Sequence, residues 1–224
     1  MHSHLLPGID DGAPDLETSI ALIRDFKELG YSKLITTPHI LWDLYKNTPA
    51  IIEKGLDQLR KALKENQVEI EIEAAAEYFL DDHMLELLQK KEPLLTIKDN
   101  LVLTEFSTMH QSLSMKNVLF DVLMAGYQPI LAHPERYIYL YKKWDLFHEI
   151  KDNGVQFQLN LLSVTGGYGA RVQEIAQYLL DHDFYSFVGT DLHHEGHMAR
   201  LKTLTIPAKL QELLANGRIL NSGL

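Results

Sequence analysis

The sequence predicts an α/β protein built on parallel strands, and three observations carry that prediction. Short apolar runs alternate with amphipathic helical patterns about seven times between the two ends of the chain. No Gly-rich G-x-G-x-x-G follows the first strand, which weakens a dinucleotide-binding open sheet relative to a (β/α) barrel. Polar residues collect at the C-terminal ends of the strands, where barrel enzymes place their chemistry.

The elements follow in order. His2 and His4 open the chain on a first strand, on one face because strand side chains alternate. A helix is entered through Pro14-Asp15 and carries Leu16, Ile20, Ile23 and Leu29 on its core face. A buried strand is expected over 34–37, and a helix over 51–63 with Ile52, Leu56, Leu59 and Leu63 on one side. The run 68–75 alternates Glu69, Glu71 and Glu73 with Ile70 and Ile72 and reads as a strand. A short helix over 84–88, a strand over 101–104 and a helix over 112–125 come next, the last ended by Gly126. Strand 129–132, helix 142–152 stopped at Asn153-Gly154, and strand 155–159 continue the alternation. After the Gly166-Gly167 loop come helix 170–181, strand 185–189 and helix 208–214.

Composition narrows the function classes. With 224 residues, 46% hydrophobic and 23% charged, the chain reads as a single globular domain spanning 1–224. A formal net charge of −10 repels a phosphate backbone, and the densest basic cluster, at Lys142-Lys143, is brief, so nucleic acid is not an expected partner. No cysteine is present, which excludes disulfides, thiolate zinc sites and a thiolate nucleophile. No stretch is long and apolar enough to insert in a bilayer, and no secretory leader precedes the first motif, so a cytoplasmic location is expected.

The strand ends carry the functional signal. His39 closes Thr36-Thr37-Pro38-His39, Glu77 follows Ala74-Ala75-Ala76, Glu105 ends Leu103-Thr104, and His133 ends Leu131-Ala132. Asp191 and His193 follow the last strand, while Asp10-Asp11-Gly12 lies just past the first. Singly, a histidine or glutamate at a strand end is usually a satisfied structural residue, and Asp-Asp-Gly reads as a turn. Jointly they converge, because the C-termini of parallel strands point to one side. Crowded carboxylates repel unless cations balance them, and neutral imidazoles are common metal ligands. Nitrogen and oxygen donors without sulfur suit manganese, iron(II) or zinc, and so many donors call for two or three ions. Such a cluster activates water and clamps phosphate, so hydrolysis of a phosphate ester is the expected chemistry.

The ordered motifs His2-Ser3-His4, Asp11-Gly12, Thr37-Pro38-His39, Glu77, Glu105-Phe106, His133-Pro134-Glu135-Arg136-Tyr137 and Thr190-Asp191-Leu192-His193 resemble those of the PHP (polymerase and histidinol phosphatase) superfamily. More narrowly, the chain resembles the bacterial capsular-polysaccharide tyrosine-protein phosphatases of that superfamily. The resemblance implies a distorted seven-stranded, TIM-like (β/α)7 barrel with a trinuclear, manganese-preferring site. It implies His2, His4, Asp11, His39, Glu77, Glu105, His133, Asp191 and His193 as metal ligands, and Arg136 as a catalytic contact to the substrate phosphate. It also implies a substrate: the phosphotyrosine tail of a membrane-anchored bacterial tyrosine kinase that controls capsular or exopolysaccharide synthesis. A guanidinium suits the role given to Arg136, since it forks onto phosphate oxygens and stays charged. The stretch His193-His194-Glu195-Gly196-His197-Met198 departs from the family pattern of an asparagine and a second arginine, leaving Arg200, Arg171 or His194 as substitutes. His110 and His197 are not expected in the site, and His83, His148 and His182 read as structural. The alternatives are a small-molecule phosphatase such as histidinol phosphatase, a nuclease, and a metal-binding regulatory module without turnover.

Overall fold

The computed structural model describes residues 1–224. Helix α1 (Leu16–Glu28) starts where the Asp15 carboxylate accepts from Thr18 N–H, satisfying one of the free donors of the first turn. It leads to β1 (Lys33–Thr36) and, past Thr37-Pro38, to the short β2 (His39–Ile40). Helix α2 (Pro49–Glu65) has Thr48 as its cap and Pro49 in its first turn. The next strand is interrupted in the same way, into β3 (Glu71–Ala74) and β4 (Glu77–Phe79) on either side of Ala75-Ala76. Then come α3 (Asp82–Lys90), β5 (Leu101–Glu105), α4 (Met115–Met124), β6 (Gln128–Ala132), α5 (Trp144–Asp152), β7 (Gln156–Asn160), α6 (Ala170–Asp181), β8 (Tyr185–Gly189), α7 (Glu195–Lys202) and α8 (Ala208–Ala215).

All strand pairs are parallel. β1 pairs with β3, and a six-stranded sheet runs β2-β4-β5-β6-β7-β8. Apolar side chains of the helices, such as Leu59, Val122, Phe147, Ile175 and Leu213, are buried in the core that covers the strands. A second buried layer joins Ile35 of β1, Leu103 of β5, Ile130 and Ala132 of β6 and Phe187 of β8. The parallel α/β class read from the sequence is thus the observed one.

Differences are local and have physical causes. Residues 2–4 were expected as a strand, but only Ser3 forms an isolated parallel bridge, to Leu192. His2 takes a left-handed backbone (φ 63°), which breaks strand continuity. The segment is nevertheless held on both sides: Asp191 N donates to His2 O and His4 N to Leu192 O (2.9 Å each), while Thr37 N donates to Ser3 O (2.7 Å). The expected strand 68–75 starts later, at Glu71. Val68 instead closes α2, its N–H reaching Leu63 O past a left-handed Gln67, as in a Schellman motif. Helix α7 had no counterpart in the sequence reading, since 195–202 lacks a strong apolar stripe.

Candidate metal centre

Each strand end delivers its polar residue to one place. His2 and His4 alternate with Ser3, and both rings are buried. Gln158, on β7, accepts from His2 Nδ1–H (2.7 Å), which leaves His2 Nε2 free to face inward. Asp10 does the same for His4: its Oδ2 lies 2.8 Å from His4 Nδ1 and also accepts from His39 N–H, while Oδ1 accepts from Gly12 N–H. The turn needs glycine, because a Cβ at Gly12 would sit 2.2 Å from the His4 carbonyl oxygen. His193 donates from Nδ1 to the Asp191 carbonyl (2.9 Å), so its Nε2 is also the free nitrogen.

Around buried Glu77 the side chains close in. Glu77 Oε2 approaches His2 Nε2 (3.2 Å), His39 Nδ1 (3.1 Å) and His4 Nε2 (3.5 Å), and Oε1 approaches His133 Nε2 (3.2 Å). Glu105 lies 2.9 Å from His39 Nδ1 and 3.7 Å from His133 Nε2. Asp11 Oδ1 stands 3.4 Å from both His39 Nε2 and His193 Nε2. Asp191 divides its oxygens, Oδ1 toward His2 (3.1 Å) and His4 (3.4 Å), Oδ2 toward Arg136 (2.5 Å) and Asn160 (3.1 Å). The nine residues expected in the site fall into three overlapping groups, sharing His39 and Glu77, whose donor atoms lie within 4.8 Å of one another.

This donor set fits divalent ions. Both Glu77 oxygens, His2 Nε2, His4 Nε2 and His39 Nδ1 are buried without a hydrogen-bond partner, although they crowd to about van der Waals distance. Orphaned buried polar atoms are costly unless something else binds them. The charges agree. Burial alone raises the Glu77 and Asp191 carboxyls, yet neighbouring imidazoles hold both well below the usual range. Burial likewise pulls His2 down, but Glu77 and Asp191 overcome it and push it up to about 10. The protein alone holds protons where its geometry offers lone pairs to cations. Three of the nine residues, His2, His133 (φ 34°) and Asp191 (φ 48°), also sit in left-handed backbone, a strain that clusters at functional sites.

The centre forms one end of an open cavity of about 260 Å³. Its lining joins Asp11, His39, Glu105, His133, Arg136, Asp191 and His193 to Leu41, Leu44, Tyr45, Phe79 and Phe106. Arg136 is anchored on Asp191 and packs its guanidinium 4.7 Å above the Tyr168 ring. It makes no pair with Glu135, which turns inward and accepts from Asn160 N–H and Tyr185 O–H. The three substitutes for a second arginine are used elsewhere: Arg200 donates to Gly167 O, Arg171 lies over Tyr141, and His194 caps α7. None of them lines the cavity. His83 stacks on Trp42, and His148 and His182 pack around Tyr178, in keeping with structural roles. His197 accepts from His193 N–H through Nδ1, at the edge of the centre.

Four contributors were missed in the sequence. Gln158 and Asn160 alternate with Phe157 and Leu159 at the end of β7, a polar pair on one face that was readable as a seventh strand end. Tyr168 and Tyr45 sit on loops with no periodic pattern, and only the folded chain brings them to Arg136 and His39.

Comparisons with known proteins agree with this geometry. The family described as capsular polysaccharide synthesis, CpsB/CapC, matches residues 1–205. The tyrosine-protein phosphatase YwqE of Bacillus subtilis (strain 168) is 29% identical over 195 residues, 87% of this chain and 76% of that protein. The tyrosine-protein phosphatase CpsB of Streptococcus pneumoniae is 30% identical over 201 residues, 87% of this chain and 82% of that protein. A solved structure from work on YwqE of B. subtilis and CpsB of S. pneumoniae, described as metal-dependent tyrosine phosphatases, superposes with a TM-score of 0.82 at 27% identity, covering 96% of this chain and 91% of that one. The chain therefore belongs to the CpsB/CapC family of capsular polysaccharide synthesis proteins.

Proposed function

We propose that this chain is a metal-dependent protein-tyrosine phosphatase acting on phosphotyrosine, on the tail of a membrane-anchored bacterial tyrosine kinase that regulates capsular or exopolysaccharide synthesis. The observation that carries the reading is the gathering of nine imidazole and carboxylate side chains, Glu77 among them, into three overlapping groups, with one guanidinium beside them. His2, His4, Asp11, His39, Glu77, Glu105, His133, Asp191 and His193 would hold two or three divalent ions, manganese first, with iron or zinc as alternatives. The chemistry such ions would supply when bound is a lowered pKa for water and neutralised charge on a transferring phosphoryl group. Arg136, anchored by one nitrogen on Asp191, offers its remaining N–H donors to phosphate oxygens. Asp10 and Gln158 orient imidazoles, which keeps the donor geometry fixed before substrate arrives.

The same reading takes the chain as one domain and as a distorted seven-stranded barrel. Support for the barrel comes from segment 2–5, which bonds to the end of β8 on one side and to Thr37 on the other. No helix is long and apolar enough to cross a membrane, which accords with an enzyme that works in the cytoplasm.

The test is metal analysis of protein purified without added ions, joined to phosphate release from a phosphotyrosyl peptide with manganese present. Two or more ions per chain and release from the peptide in preference to histidinol phosphate are expected. Preference for histidinol phosphate would move the reading to a small-molecule phosphatase. Bound ions with no release from any aryl phosphate would leave a regulatory metal-binding module.

A further inference from the structure

The cavity over the centre has two unlike halves. One is the charged end already described. The other is apolar, and much of it comes from one loop, 41–47, that no core packing requires to be apolar. Leu44 at its tip is 70% exposed, and Tyr45 lies with its ring parallel to that of His39 at 5.8 Å (14°). A single exposed leucine is ordinary. This one lines a cavity with ionisable floor residues, next to Leu41, Tyr45, Phe79 and Phe106.

The loop is also pinned. Leu41 and Tyr45 exchange backbone hydrogen bonds (3.2 and 2.7 Å), and Asn47 Nδ2 donates to Ile9 O and His39 O. Trp42 N–H reaches the Asp81 carboxylate (3.3 Å), and its ring stacks on His83 at 3.8 Å. A wall fixed at three places can select shape, because little ordering entropy is lost when a ligand meets it.

We propose that Leu44 and Tyr45, backed by Phe79 and Phe106, form an aryl subsite. It receives the ring of the substrate while the phosphate reaches the centre, and it selects aryl phosphates over alkyl phosphates. This rests on the phosphatase reading above and adds to it the residues that set substrate class. The cavity, at about 260 Å³, falls just below the roughly 300–1,000 Å³ of pockets for drug-sized ligands, which suits one side chain. An aromatic ring buries its faces on this wall without leaving a polar group unpaired. An alkyl substrate offers this wall less apolar surface to bury, and outside the ionisable floor the polar side chains of the lining are the Ser107 and Thr108 hydroxyls.

The experiment compares holoenzyme and Leu44→Ala for KM on a phosphotyrosyl peptide and for inhibition by inorganic phosphate, which has no ring to lose. Leu44 is exposed, so its truncation leaves the core intact; an unchanged thermal midpoint checks this. We expect KM for the peptide to rise about three- to tenfold, with the phosphate inhibition constant within about twofold of wild type. Tyr45→Ala should raise KM in the same direction. A parallel rise of both constants, or no change in either, overturns the subsite. Failure of the wild-type holoenzyme to release phosphate from any aryl phosphate overturns the phosphatase reading itself, and the subsite with it.

Discussion

Asp191 shows how much a single side chain is asked to do. One oxygen faces the imidazoles of His2 and His4, and the other holds Arg136 and Asn160. Arg136 is therefore positioned from within the centre, and Tyr168 supports its other face. Replacing Arg136 with alanine removes a charged donor for phosphate and should lower kcat/KM by roughly ten- to hundredfold, about 1.5–3 kcal/mol. Steady-state kinetics on a phosphotyrosyl peptide would read it, and an unchanged kcat/KM would remove Arg136 from the mechanism. For Glu105→Ala or His133→Ala the expectation is sharper: hydrolysis is lost while the far-ultraviolet circular dichroism stays native. Turnover at the wild-type rate in either variant would count against the metal centre. Both residues were legible in the sequence because each ends an apolar run; Gln158 and Asn160 were overlooked because neutral amides do not stand out among strand residues.

At the scale of elements, the helices and strands read well wherever apolar periodicity was strong, as in α2, α6 and β8. On α1 the expected core residues Leu16 and Leu29 are exposed, and Leu22 and Phe26 join Ile20 and Ile23 in the core instead. Boundaries moved where caps and turns decided them. Helix α4 starts at Met115 rather than 112, since Ser112 and Ser114 bond to each other and to local backbone. Asp81 links two elements. Its Oδ1 caps α3 by accepting from Met84 N–H, and its Oδ2 accepts from Trp42 N–H in loop 41–47. Asp81→Ala should cost about 1 kcal/mol from the lost cap and free the loop from one of its anchors. A lowered urea midpoint together with faster amide exchange at Trp42 is the expected result; normal protection at Trp42 would show that the loop stands without the helix.

For the molecule as a whole, the buried centre links pH, metal and stability. His2, pushed up to about 10 in the folded chain against about 6.5 in an unfolded one, stabilises the metal-free protein fully below pH 6.5. That stabilisation is lost as pH rises from there through about 10, where the folded chain must release the proton. Chelator-treated protein should thus show a thermal midpoint that falls over this range, while added manganese raises the midpoint more at pH 8.5 than at pH 6.5, because protons and cations compete for the same lone pairs. A metal effect independent of pH would overturn the competition between protons and cations at His2. The sequence by itself determined the alternation of elements, the parallel pairing and the residues gathered at the strand ends, because periodicity and strand polarity are local properties that tertiary packing inherits. Only the tertiary structure decided that residues 2–4 form a strained bridge between Leu192 and Thr37, that Asp191 shares itself between imidazoles and Arg136, and that an apolar loop walls the cavity. These depend on approaches between residues as far apart as His2 and Asp191, which no local pattern encodes.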